Sequence, residues 1–310
     1  MQVIVHVGAH RCATTSFQDY LRFNAATLAE QRLEVWGPDL TRDGLFHGIQ
    51  PTPSVGSAAA ASKRARGRLR MRLDQSRDAG TEQLLISDEN MIGSVRENLR
   101  LAGLYCGIGE RLARFNEAFD GRVSVLAVNL RSLEAYWTSA LTYAVARGHR
   151  VPAAGQLNRL LENTRSWRDV LTDMACSMPD TEIRVLPFET FGGRPELQLE
   201  LLTGCKAPRE NARMRHAASP RLEELRGMIP TSAARSLPEG EGRWRPLDEV
   251  QSAVLRERYA DDLMWLASGA DGLARIMYDP EKQVAGQNPL RTDLTRGRPH
   301  DEDRRLAGSG

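Results

Sequence analysis

The sequence predicts an α/β protein of three layers, a central parallel sheet flanked by helices. Two observations carry that expectation. Apolar, β-branched runs at 3–7, 83–86 and 122–130 have the length and continuity of strands buried on both faces. Between and after them lie longer stretches whose apolar residues recur at helical spacing. A chain of 310 residues, 41% hydrophobic and 26% charged, is ordinary for a globular protein and buries a large core.

The first element is the strand Val3 to Val7, followed by Gly8 and a short loop. Thr14-Thr15-Ser16 opens a helix that runs to Glu30, with Phe17, Tyr20, Leu21, Ala25 and Leu28 on its inner face. Strand, small-residue turn and helix N-terminus make a phosphate-loop-like (P-loop-like) anion site, because unpaired N–H groups and the positive helix end converge. The loop therefore points to a phosphate or sulfate. A nucleoside-triphosphatase loop carries Gly-Lys before its hydroxyl residue, but Ala13 and Thr14 stand there. A phosphatase-type loop wants an Arg six positions after Cys12, and that residue is Gln18. The loop cation is Arg11. Cys12 is either an acidic, reactive thiol at a helix N-terminus or a small side chain that lets the loop close.

Gly37 to Pro53 reads as a loop containing His47, and Ala58 to Asp78 as a basic helix. That helix presents either a solvated arginine face or a grip on an anionic acceptor. Gln83 to Ile86 is a strand, with Ser87-Asp88-Glu89 at its carboxyl end, where open α/β sheets bind ligands. Glu89 is thus placed near the crevice of Arg11 and Arg131; its other reading, shared with Asp88, is to cap the helix starting near Ser94 or end the strand. A helix from Arg96 to Phe119 leads to the strand at 122–130, and Arg131 follows at once. The next helix carries Leu133, Tyr136, Trp137, Ala140, Leu141 and Ala144 at apolar spacing, with Ser139 on its flank. Arg131 and Ser139, eight residues apart, either bind a ligand or cap a strand and face solvent. Leu157 to Met174 is helical, Glu182 to Leu186 is a strand, and Pro187-Phe188-Glu189 ends it. Asn211 to Ser219 is a basic loop, Ser232 to Arg245 another loop, and Asp248 to Ala267 a last helix.

The loop resembles that of the sulfotransferases that use 3′-phosphoadenosine 5′-phosphosulfate (PAPS), G-x-x-K-[ST]-G-T-[ST], in their bacterial type. Gly8, Arg11, Cys12, Ala13, Thr14 and Thr15 fall in register, with Arg11 for Lys, Cys12 for the small hydroxyl residue and Ala13 for Gly. Arg131 and Ser139 match the family's Arg at a strand end and Ser eight residues on, although Leu133 replaces a frequent Pro. The Pro187-Phe188-Glu189 segment is also similar to one frequent in the family. The resemblance implies PAPS as co-substrate, no metal, and in-line sulfuryl transfer to a hydroxyl or amine of a small-molecule or carbohydrate acceptor. It implies that Arg11, Cys12, Ala13, Thr14, Thr15 and Ser16 bind the phosphosulfate and that Arg11 stabilises the leaving oxygen. Arg131 and Ser139 would hold the 3′-phosphate, and loops 37–56 and 205–247 would shape the acceptor pocket. The base is Glu89, with a pKa raised by burial, or His47, since the soluble small-molecule branch uses a His. The basic loop, with Arg213 and Arg215, lacks that branch's Arg-Lys-Gly run.

Two rivals stand beside this reading: a P-loop kinase, against which the absent Gly-Lys pair argues, and a nucleotide-binding protein without turnover. A net charge of +2 implies no general affinity for nucleic acid. The first apolar run is only five residues, so neither a signal peptide nor a membrane span is expected. Cys12, Cys106, Cys176 and Cys205 show no metal-ligand spacing, which fits a reduced, cytoplasmic protein. Residues 1–280 read as one α/β domain and 281–310 as a polar, disordered tail.

Overall fold

The computed structural model describes residues 1–50, 58–214 and 218–281. One compact unit covers Met1–Met277, and a second begins at Tyr278. Of the polar tail expected at 281–310, only Glu281 belongs to the described residues.

The sheet consists of β1 (Gln2–His6), β2 (Leu33–Trp36), β3 (Gln83–Ser87), β4 (Val123–Leu130), β5 (Glu182–Pro187) and β6 (Arg275–Ile276). All are parallel, in the order β2-β3-β1-β4-β5-β6. Parallel strands need helical crossovers, and those helices cover both faces, so the strands read as continuous apolar runs. Val3, Ile4 and Val5 in β1 and Leu84, Leu85 and Ile86 in β3 are all buried. The α/β, helix-flanked parallel sheet expected from the sequence is the observed fold.

The helices used below are α1 (Thr14–Phe23), α2 (Ala25–Glu30), α3 (Ala58–Asp78), α4 (Val95–Leu101) and α5 (Ile108–Ala118). They continue as α6 (Leu133–Ala146), α7 (Ala154–Glu162), α8 (Trp167–Ser177), α9 (Pro195–Thr203), α10 (Leu222–Met228) and α11 (Glu249–Ala267). Three expected single helices are each broken in two. At Asn24 the side-chain amide and the backbone N–H both donate to Tyr20 O, which ends α1 and starts α2. Between α4 and α5, Ala102 and Tyr105 take φ of 50° and 44°, which no helix continues through. Between α7 and α8, Ser166 caps a fresh N-terminus with a capping box to Asp169. The expected loop after Gly37 contains a turn of helix at Pro38–Leu40 and a wide turn at Thr41–Leu45, and its last three residues lie outside the described segments.

Two short edge strands, β2 and β6, had no sequence signal. Four and two residues are too few for a period to register.

β1 pairs with β3 on one side and β4 on the other. The chain leaves β1 toward β2 and leaves β4 toward β5, in opposite directions. The crevice beyond the carboxyl ends of β1 and β4 is therefore the topological switch point, where doubly wound sheets hold ligands.

Candidate functional site

The loop from β1 to α1 is built from three left-handed residues, Gly8 (φ 48°), Arg11 (φ 67°) and Ala13 (φ 61°). At Gly8 a Cβ would lie 2.2 Å from Thr14 Cγ2, so any other residue would displace the Thr14 side chain at a φ that favours glycine. Ala13 occupies the N-cap of α1 and has no side-chain oxygen to offer the first turn. Non-glycine residues held at positive φ cost about 1 kcal/mol each, strain of the sort that collects at binding sites.

Arg11 and Arg131 meet in this crevice. Arg131 Nη1 donates to Arg11 O at 2.7 Å, so the residue after β4 holds the loop after β1. Its own backbone carbonyl accepts from Trp167 Nε1 at 2.8 Å, and its guanidinium stacks on Phe188 with Cζ 4.4 Å from the ring centre. Arg11 Nε donates to Ser139 Oγ and Nη2 to Ser219 Oγ, both at 3.0 Å, and the two hydroxyls lie 2.9 Å apart. The resemblance assigned Arg11 and Ser139 to two different phosphates; the geometry joins them in one cluster.

These groups line a cleft of about 340 Å³ together with Ala13, Thr14, Thr15, Ser16 and Arg243. Burial, and then the neighbouring guanidinium of Arg131, pull the pKa of Arg11 below its ordinary value. Arg131 is lowered first by burial too, and its buried Nε–H has no partner among the described residues. Two desolvated cations side by side form an arrangement that an oxyanion relieves. Among the described residues Glu189 is the one carboxylate on the wall, and it accepts from Ser132 N at 2.8 Å and Tyr259 OH at 2.9 Å. A larger cleft of about 510 Å³ shares Arg131, Ser139, Ser219 and Arg243 and continues past Trp244.

Cys12 lies behind this wall. Its N–H donates to Ala9 O, its side chain is buried, and burial raises its thiol to about 12, so it is a space-filling side chain and not a nucleophile.

Glu89 sits in a second, adjoining cluster and does not line the cleft. Gln18 Nε2 donates to its Oε2 at 2.7 Å, and Arg42 Nη2 lies 3.1 Å from Oε1. Burial pushes the pKa of Glu89 up, but Arg42, Gln18 and His10 outweigh it and hold the carboxyl below the ordinary value. The expected elevation is thus reversed, because sequence spacing did not reveal Arg42. Asp88 is structural: it accepts from Asn90 N at 3.0 Å, Thr41 Oγ1 at 2.7 Å and Arg42 Nη2 at 2.7 Å. His47 is exposed, and its carbonyl accepts from Arg68; the ring is not part of the cleft wall. Arg215 lies outside the described residues.

Four residues of the site gave no individual signal in the sequence. Ser219 and Arg243 come from the two late loops, and Tyr143 lies one helical turn past Ser139 beneath Arg11, with Cζ 5.0 Å from its ring centre. The fourth is His10 in the loop itself, the only one a closer reading of that loop would have found. Tyr105 OH accepts from His10 N at 2.9 Å and lies 3.1 Å from Nδ1, while Nε2–H faces Asn90 Oδ1 at 3.2 Å. Burial lowers the pKa of His10, so its imidazole is neutral near pH 7.

Chemically, the cleft suits a multiply charged oxyanion, held by fixed guanidinium, hydroxyl and helix N-terminal donors. Among the described residues no group of three His, Cys, Asp or Glu side chains is placed to hold a metal ion. No helix among them is long and apolar enough to cross a membrane. No family model, curated protein or solved structure matches the chain.

Proposed function

We propose that this chain transfers a sulfuryl group from PAPS to a hydroxyl or amine of an acceptor. The observation that carries the reading is the convergence of Arg11, Arg131 and Ser139, from the loops and helix after adjacent strands β1 and β4, on one cleft at the start of α1. These are the positions on which the family resemblance rests, and nothing in the folding of a plain α/β domain requires two half-buried arginines there.

The fit is chemical as well as positional. A nucleotide with phosphates at both ends needs two anion subsites, and the cations available for them are Arg11, bonded to Ser139 and Ser219 beside the first turn of α1, and Arg131. Arg131 also has a buried Nε–H with no partner among the described residues. The adjoining 510 Å³ leaves room for a nucleoside. When bound, PAPS would supply an activated sulfuryl group: its bridging S–O bond would break as the acceptor oxygen or nitrogen bonds to sulfur, and the acceptor's proton would pass to Glu89 or to solvent. The protein's part is electrostatic: fixed cations stabilise charge on the departing phosphate. Ordered hydrogen bonds between Arg11 and the two serines keep that cation in place before the ligand arrives.

A second reading is a nucleotide-binding protein without turnover. It is favoured by Glu89, which is held as an anion by Arg42 and Gln18 and is therefore a weak base. Neutral His10, in the cluster of Glu89, has both ring nitrogens engaged, by Tyr105 OH and Asn90 Oδ1.

The test is a calorimetric titration with 3′-phosphoadenosine 5′-phosphate, ATP and AMP on wild type and Arg131→Ala. The expected outcome is preferential binding of the 3′-phosphorylated ligand, weakened about tenfold to a hundredfold in the variant, as for loss of a charge-assisted hydrogen bond. Equal or absent binding of all three ligands discards the reading. Tight binding without sulfate transfer from labelled PAPS to any acceptor selects the non-catalytic alternative.

A further inference from the structure

A further cleft, of about 470 Å³, lies between α4, α6 and α7 and has Tyr143 in common with the anion site described above. Its floor is apolar. Leu141, Val145 and Leu160 are buried there, and Val95 and Leu99 from α4 complete the wall. Its rim is basic: Arg96 and Arg100 project from α4, and Arg147 and Arg150 from the end of α6 and the segment after it. Among the described residues no carboxylate lines the cleft.

Those arginines stand apart from others in this chain. Nearby Arg111 pairs with Glu97 at 3.1 Å, Arg165 with Asp173 at 2.5 Å and Arg66 with Glu117, whereas Arg96, Arg100, Arg147 and Arg150 pair with no carboxylate among the described residues. Glu97, the one acid of α4, is the residue that Arg111 occupies. Arg96 and Arg100 are four residues apart on one helix, where like charges oppose each other. Unpaired guanidiniums around an apolar floor match a ligand with an apolar body and a negative head.

The cleft also touches the anion site. Tyr143 lines it, and the same ring carries the guanidinium of Arg11 with Cζ 5.0 Å from its centre and that of Arg147 at 4.3 Å. One aromatic ring thus separates the arginine of the phosphate loop from the arginine rim. We infer that this cleft is the acceptor subsite and that its occupant is an amphipathic anion, an apolar small molecule bearing a carboxylate, sulfate or phosphate. The term acceptor rests on the sulfuryl-transfer reading; the binding chemistry does not.

The experiment titrates the full chain, without nucleotide, with decanoate, decyl maltoside and decyltrimethylammonium below their micellar concentrations. The expected result is saturable one-to-one binding of decanoate, with the neutral and cationic probes at least about tenfold weaker. In Arg100→Ala/Arg150→Ala the decanoate affinity falls about tenfold or more, since each charged hydrogen bond carries roughly that factor. Both side chains are exposed, so the double variant retains the fold, which its melting temperature checks. A second variant, Leu99→Trp, fills the cleft from its wall and weakens decanoate binding while leaving every arginine in place. Equal binding of the three probes, no binding of any, or a double variant that binds like wild type overturns the inference. Nucleotide binding sensitive to Arg131 is scored separately, so either result stands if the other fails.

Discussion

At the scale of single residues, the site depends on side chains whose ionisation is set by burial. His6, the last residue of β1, shows the effect most clearly. Its Nδ1 lies 2.8 Å from Ser87 Oγ and its Nε2 2.6 Å from Asn129 Oδ1, so β1 is tied to both neighbouring strands. Asn129 Nδ2 donates to Gln198 Oε1 at 3.0 Å, which turns its carbonyl oxygen toward His6 and fixes Nε2 as the protonated nitrogen. Burial lowers the His6 pKa from 6.5 to about 4. Between those values the unfolded chain binds a proton that the folded chain does not, so stability falls as pH drops from 6.5 toward 4. The shift corresponds to a loss of about 3 kcal/mol across that window. Urea unfolding of wild type and His6→Gln at pH 7 and pH 4.5 checks it: the variant should lose this part of the pH dependence. An equal dependence in both proteins would show that another group carries it.

At the scale of elements, stability and site geometry meet at the start of α8. Asp262, buried on α11, accepts from Ser166 Oγ at 2.6 Å and from Trp167 N and Arg168 N at 3.1 Å each. One carboxylate thereby satisfies two first-turn N–H groups of α8 and orients its capping serine. Trp167 in turn donates to Arg131 O, so the cap and the anion site share a residue. Asp262→Ala strands two donors, Trp167 N–H and the Ser166 hydroxyl, while Arg168 N–H keeps Ser166 Oγ, and should cost about 2–4 kcal/mol, read as a lower urea midpoint with an unchanged slope. A loss under about 0.5 kcal/mol would mean that water replaces the carboxylate. Nothing in the sequence announces this contact, because Ser166 and Asp262 are 96 residues apart. The strands β1, β3 and β4 were legible from their apolar runs, and Gly8, Arg11, Arg131 and Ser139 from their positions at strand ends and helix starts. The helix breaks at Asn24, at Ala102 and before Ser166 were not. Each is made by local hydrogen bonds or positive φ in segments whose apolar spacing runs straight through. Arg42, which reverses the expected shift of Glu89, comes from a loop with no periodicity to place it.

At the scale of the whole molecule, the sheet order explains why the anion site is where it is. Only at the β1/β4 boundary do two neighbouring strands send their loops apart, opening a crevice at their carboxyl ends. The charge distribution follows the same geometry. Lysines and arginines exceed acids by only two over the chain, 42 against 40, yet Arg11, Arg131 and Arg243 converge on one cleft where the described residues include a single, engaged carboxylate. A nearly neutral protein with a concentrated positive cleft steers anions over short range without binding polyanions generally. Salt should therefore act on association. For 3′-phosphoadenosine 5′-phosphate, the stopped-flow on-rate should fall about tenfold between roughly 20 mM and 300 mM salt, over which the screening length shrinks below about 10 Å. The off-rate should change far less, because the contacts that hold the ligand lie in a desolvated cleft where salt screens weakly. Arg243→Ala, which removes an exposed cation from the rim, should flatten the salt dependence of the on-rate and leave the off-rate nearly unchanged. An on-rate independent of salt would mean that the cleft's arginines act only after contact, as hydrogen-bond donors, and that the field of the molecule plays no part in capture.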